Sequence, residues 1–189
     1  MHVQIGAQSH SFSDPTRLLS DCHRRIEMFL GTLERVVSVI DRPLTEDARS
    51  ALESALRYFR EAAPKHTADE EESLFPRLRQ MHLPDVESAV ERLELLEHDH
   101  VLAGSLHAEA EVLGQRSLAT GCLESTDAEA FRKTIATLVA IYKQHINVED
   151  NFVFPLAARL LSSTDKAAIA DEMAARRELR IVGVKGRRA

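Results

Sequence analysis

The chain has 189 residues, a length that fits one ordinary domain, and its 24 basic against 30 acidic side chains leave a net charge of −6. That balance speaks against nucleic acid or an anionic membrane as a partner. With 44% hydrophobic residues, only 7 glycines and 6 prolines, and no glycine between Gly31 and Gly104, the composition excludes wholesale disorder and a turn-rich β architecture.

Residues 1–13 are polar and irregular, without the basic and apolar regions of a signal peptide. Asp14-Pro15 reads as an N-cap followed by proline at the first helical position. The first predicted helix carries Leu19, His23, Ile26, Leu30, Leu33, Val37 and Ile40 at spacings of three and four, and Asp41-Arg42-Pro43 ends it. A second helix starts near Thr45 and carries Leu52, Leu56, Phe59, Ala63, His66, Glu70 and Leu74, with Pro64 expected to kink or split it. His82-Leu83-Pro84 is the next break. A third helix is predicted from about Pro84 to Leu113, then a loop over Gly114–Ser125, then a fourth helix from about Thr126 to Leu161. A short charged fifth helix is expected from Ser163 to about Arg180, followed by the basic tail Lys185-Gly186-Arg187-Arg188.

Four long amphipathic helices with short connections predict an all-α, antiparallel up-down-up-down four-helix bundle over residues 14–162, with 163–189 as an extra C-terminal helix and tail. The longest clean apolar stretch, near Ile135–Tyr142, is far too short to span a bilayer. Cys22 and Cys122 stand too far apart in sequence to suggest a disulfide framework or a cysteine-based zinc site. A cytoplasmic protein without membrane partners is the expectation.

The chain contains a repeat. His66 to Pro76 and His145 to Pro155 both read H-x-x-x-E-E/D-x-x-L/V-F-P. Upstream of each lies one more helical histidine on an apolar stripe, His23 before the first and His98 before the second. Residues four apart on a helix sit one above the other, so an imidazole and a carboxylate so placed can reach one metal or a neighbouring pair. Around His145, the residues Leu138, Ile141, Phe152 and Leu156 fall within about 40° on a helical wheel, so the motif faces the core. A buried glutamate costs several kcal/mol unless it is paired or bound to a cation. Two such glutamates and four histidines in one bundle predict a dinuclear metal site, and these donors suit iron, manganese or zinc. The two Phe-Pro pairs read as packed kinks.

His98 and His100 point about 160° apart on a helix and cannot share a site. Leu95, Leu102, Leu106 and Leu113 lie within about 80° of His98. On that ground His98 is expected in the core, and His100 and His107 on a surface stripe. His2, His10 and His82 are expected to be solvated.

The combination of Asp21-Cys22-His23-Arg24-Arg25, His66 and Glu70 with Leu74-Phe75-Pro76, Glu97-His98-Asp99, and His145 and Glu149 with Val153-Phe154-Pro155 resembles the bacterial cation-binding form of the hemerythrin family. The resemblance covers about Asp14 to Leu161. It implies a bundle holding two iron ions, with His23, His66, His98 and His145 as terminal ligands and Glu70 and Glu149 as bridging carboxylates. A bridging oxygen from solvent would leave one open position on each iron. Asp150 has the spacing of the fourth-helix carboxylate in the oxygen carriers of the family and competes with Glu149. Those carriers have a fifth histidine one turn beyond the third-helix histidine, and Leu102 is the matching residue here. The difference points away from oxygen transport and toward O2, NO or peroxide as ligands in sensing, scavenging or stress response. The alternatives are an enzyme that consumes peroxide or NO or assists iron–sulfur cluster repair, and a metal-stabilised module for binding a partner. The repair relatives usually carry an N-terminal domain with a cysteine motif, and the short segment ahead of the first helix counts against full repair function. Tyr142, one turn before His145, is placed either to bond a bound ligand or simply to pack.

Overall fold

The computed structural model describes residues 14–81 and 84–179, with side chains described at 14–81 and 91–179. His2, His10, His82 and the tail at 185–188 lie outside the described residues. Every regular element among the described residues is helical.

Helix α1 spans Pro15–Val37, with Asp14 accepting from the Arg17 N–H as its N-cap. Helix α2 spans Glu46–Glu61, capped by Thr45. At Pro64 the chain splits as expected, and α3 runs Ala63–Asp69. A π turn follows at Glu70–Leu74, then α4 at Phe75–Arg79. Helix α5 is one long rod, Pro84–Thr120. Helix α6 spans Ser125–Val148, a second π turn covers Glu149–Val153, and α7 spans Phe154–Leu160. Helix α8, Ser163–Arg176, opens on a capping box between Ser162 and Asp165.

The bundle closes as a ring, with α1 packed on α2, α2 on α5, α5 on α6, and α6 back on α1. Helix α8 lies outside that ring, against α1, α3 and the first π turn. No helix among the described residues is long and apolar enough to cross a membrane.

Two expectations about chain organisation are corrected. The predicted loop over Gly114–Ser125 is mostly helix. Gly114 does not end α5; it lets α5 approach α2 closely, since a Cβ there would stand 2.6 Å from Leu56 Cδ1. The turn comes at Gly121, which takes φ +88° and donates its N–H to Ser117 O. The fourth helix is interrupted by a π turn, as is the second. The Phe75 N–H donates to Glu70 O and the Phe154 N–H to Glu149 O, five residues back in each case. Pro76 and Pro155 follow at once and have no N–H to continue the α pattern, which gives each Phe-Pro a physical reason to sit at a π exit.

The bundle has two apolar cores with a polar layer between them. One core runs from Ile26 and Leu33 through Phe59, Ala103 and Phe131 to Ile146. The other gathers Leu19, Leu74, Phe75, Leu96, Val153 and Phe154 under Ile169 and Met173 of α8. Along every strut of the bundle, the functional side chains fall at the change from one core to the other.

Candidate metal centre

Four struts converge on this layer. Helix α1 brings His23 and α3 brings His66, while Glu70 opens the first π turn. Helix α5 brings His100, α6 brings His145, and Glu149 opens the second π turn. Both glutamates, His23, His66 and His145 are buried.

The donor atoms form two groups. His23, His66, Glu70 and Glu149 make one; His100, His145, Glu70 and Glu149 make the other, with the donor atoms of each group within 4.8 Å of one another. Both carboxylates belong to both groups. Glu70 faces His66 Nε2 at 3.2 Å in its own hairpin and His100 Nε2 at 3.4 Å in the other. Glu149 faces His145 Nε2 at 3.2 Å and His23 Nε2 at 3.0 Å.

A second ring of contacts repeats the same symmetry. The residue after each glutamate meets the Nδ1 of the histidine from the other hairpin. Asp150 Oδ1 lies 2.9 Å from His23 Nδ1, and Glu71 Oε1 lies 2.8 Å from His100 Nδ1. A proton held on each Nδ1 leaves the Nε2 lone pair facing the cluster, the arrangement a metal ligand needs. The phenylalanine of each Phe-Pro stacks on the same imidazole: Phe154 on His23 at 5.2 Å between ring centres, Phe75 on His100 at 6.4 Å. The Phe-Pro pairs therefore orient rings of the site.

The electrostatics fit a cation. His23 Nε2 and all four oxygens of Glu70 and Glu149 are buried without a hydrogen-bond partner. Such groups are costly when left unmatched. Burial and the nearby Glu149 push the Glu70 carboxyl well above the usual range. Burial would raise Glu149 too, but the His145 and His23 imidazoles hold it below its ordinary value. Burial drives His66 well down, helped by His23. For His23, burial works downward, yet the Asp150 and Glu149 carboxylates outweigh it and hold the ring up to about 9. In the protein alone, burial and the facing Glu149 both disfavour the ionised Glu70. A divalent cation would let both carboxylates ionise.

The expectation for His98 is corrected. His98 is exposed and stands in neither group, and His100 takes the place predicted for it. The leucines misled. Leu95 is 67% and Leu102 41% exposed. The inward face of α5 runs instead through Leu93, Leu96, His100, Ala103, His107, Ala110, Gly114 and Ser117, alternating steps of three and four. Much of that stripe is small, so hydrophobicity alone does not mark it. His107 follows this face too, stacked on Phe59 at 4.3 Å, with its Nε2 3.0 Å from Tyr142 Oη. Tyr142 thereby has its partner within the protein. The position one turn beyond the third-helix histidine is then Gly104, not Leu102.

Asp150 stands outside both groups, held by His23, Ser20 and Arg24. Asp69 is fully buried and paired with Arg176, the last residue of α8, and with Arg177 just beyond it.

Residues 14–157 match the family described as the hemerythrin HHE cation binding domain. The chain belongs to that family. It is also similar to an uncharacterized protein of Haemophilus influenzae (strain ATCC 51907 / DSM 11121 / KW20 / Rd), 24% identical over 184 residues, which covers 95% of this chain and 99% of the relative.

Proposed function

We propose that the centre holds two iron ions and binds O2, NO or peroxide, in a sensing, scavenging or stress-response role. The observation that carries this reading is the sharing of Glu70 and Glu149 by two donor groups of two nitrogens and two carboxylates each. In this reading His23 and His66 would hold one ion, His100 and His145 the other, and Glu70 and Glu149 would serve both. Manganese and zinc suit the same donors. Iron bound there would supply electrons and open coordination positions for a small ligand.

The surrounding residues have defined tasks. Asp150 and Glu71 fix the Nδ1 protons of His23 and His100. Phe154 and Phe75 hold those rings in plane. The burial of Glu70, Glu149 and His23 between the two apolar cores strengthens the charge interactions among them.

The test is spectroscopic. Anaerobically reconstituted, reduced protein is titrated with O2 and with NO, and H2O2 and NO consumption is followed in the steady state. A reversible optical change with slow or no turnover supports binding. Sustained consumption makes the chain an enzyme. An iron-loaded protein that responds to none of the three ligands contradicts the proposal.

A further inference from the structure

A cavity of about 380 Å³ opens between α2, α3 and α5, with His100 and Tyr142 in its wall. That space is far more than a diatomic ligand needs and lies within the size range of sites for small organic molecules. Its walls are apolar: Leu33, Leu56, Phe59, Ala63, Ala103 and Ala110. The Phe59–His107 stack forms an aromatic slab on one side. Burial drives His107 down to about 4, so the slab is uncharged at neutral pH. The cationic side chain in the lining, Arg60, is matched by Glu111 at 2.7 Å. The cavity therefore offers an apolar, locally neutral environment.

Gly104 stands at its open rim, exposed to solvent. It lies within α5 and lines the cavity, and a Cβ added there would meet nothing within 4 Å. Glycine inside a helix costs roughly 1 kcal/mol relative to alanine. Neither a turn, a positive φ nor a close helix contact calls for it here, unlike Gly121 and Gly114.

We infer that this cavity is a binding site for a neutral organic molecule with a flat or branched apolar body, seated between Phe59 and Gly104 with one end against His100. Gly104 sets the size of what enters. The position beside the second donor group gains its meaning from the metal reading above, but occupancy of the cavity does not depend on it.

The probe is 2-naphthol, an uncharged aromatic, with naphthalene-2-sulfonate as its anionic counterpart. Equilibrium dialysis is run on the full chain, metal-free and zinc-loaded. The expected result is saturable binding of one 2-naphthol per chain, at least tenfold weaker binding of the sulfonate, and at least tenfold weaker 2-naphthol binding by Gly104→Leu. That variant should melt no lower than the parent, because leucine favours the helix and enters open space. Leu102→Ala, on the outer face of α5, should bind like the parent and controls for adsorption to exposed leucines. Binding that does not saturate, or that Gly104→Leu leaves unchanged, overturns the inference. Gly104-sensitive binding in a chain that takes up no metal sustains the cavity and defeats the metal reading. A zinc-loaded chain that binds no 2-naphthol does the reverse.

Discussion

In the first half of the bundle, Glu70 is followed by Glu71, which meets His100; in the second, Glu149 is followed by Asp150, which meets His23. Each half supplies a phenylalanine that stacks on the other half's ring. The donors and their immediate supports are thus nearly symmetric. The structure around them is not. Three residues after His66 stands Asp69, fully buried and paired at 2.6 Å with Arg177 and 3.0 Å with Arg176. Arg176 also reaches Glu72 and Ser73, and Arg77 pairs with Glu172 of α8. Three residues after His145 stands Val148, an apolar residue packed against the core below the site. The first π turn is anchored by arginines at the end of α8, beyond the family match, while the second is held from α1, where Ser20 and Arg24 meet Asp150, and by the packing of Val148 and Val153. The donors repeat between the two halves, while what holds each turn in place differs.

The largest expected effect separates shared donors from single ones. Glu70→Ala or Glu149→Ala should each reduce metal content to well below one ion per chain, because each carboxylate belongs to both groups. His23→Ala should retain close to one. Metal counting after anaerobic reconstitution reads the difference, and equal loss in all three variants would remove the distinction.

Next comes the anchor of the first half. Arg176→Met with Arg177→Met leaves a buried carboxylate unpaired and should destabilise by about 3 kcal/mol. For a chain of this size that lowers the melting temperature by roughly 6–12 °C. Adding Asp69→Val, which copies the second half, should recover most of the loss. No recovery would mean that α8 supports the fold by some route other than Asp69.

The carboxylates behind the rings should have smaller effects. Asp150→Asn should weaken metal binding by roughly 10–100-fold. Glu71→Gln should cost less, because Glu71 is 35% exposed and Asp150 only 15%. Competition with a chelator measures both.

The last contrast, smallest at neutral pH, concerns α5 alone. It carries His107 where α1 carries Leu30, each seven residues beyond its cluster histidine. His107 titrates near 4 in the fold and near 6.5 when unfolded. A depressed histidine binds fewer protons in the native state, so the fold loses stability as pH falls from 6.5 toward 4. Relative to the parent, metal-free His107→Leu should therefore gain by up to about 1 kcal/mol per pH unit across that window. At neutral pH it should be slightly weaker, having lost the bond to Tyr142. Denaturant melts at several pH values test this, and a constant difference would contradict it.

Much of the molecule was legible in the sequence because two kinds of periodicity are strong. Spacings of three and four marked the helices, and the repeated H-x-x-x-E drew attention to His66, Glu70, His145 and Glu149. The third-helix histidine was not legible, because the leucines on α5 do not mark its inward face. On α5 the close-packed face uses Ala103, Ala110 and Gly114, while Leu95 and Leu102 face outward. The matched stacking of Phe154 on His23 and Phe75 on His100 would have resolved it, but it exists only in three dimensions. The π turns were not legible because each is a single turn whose mark, an N–H bonding five residues back, is a backbone feature that side-chain identity does not record. The burial of Asp69 is not legible locally, because its partners Arg176 and Arg177 stand more than a hundred residues later.

The central claim is that one chain holds two metal ions through two shared carboxylates. Anaerobic titration of the metal-free chain with ferrous iron, followed by desalting and metal analysis, tests it most directly. The account predicts two equivalents retained per chain, with both lost from the His66→Ala, His145→Ala double variant. Retention of fewer than one, or an unchanged content in that variant, would contradict it.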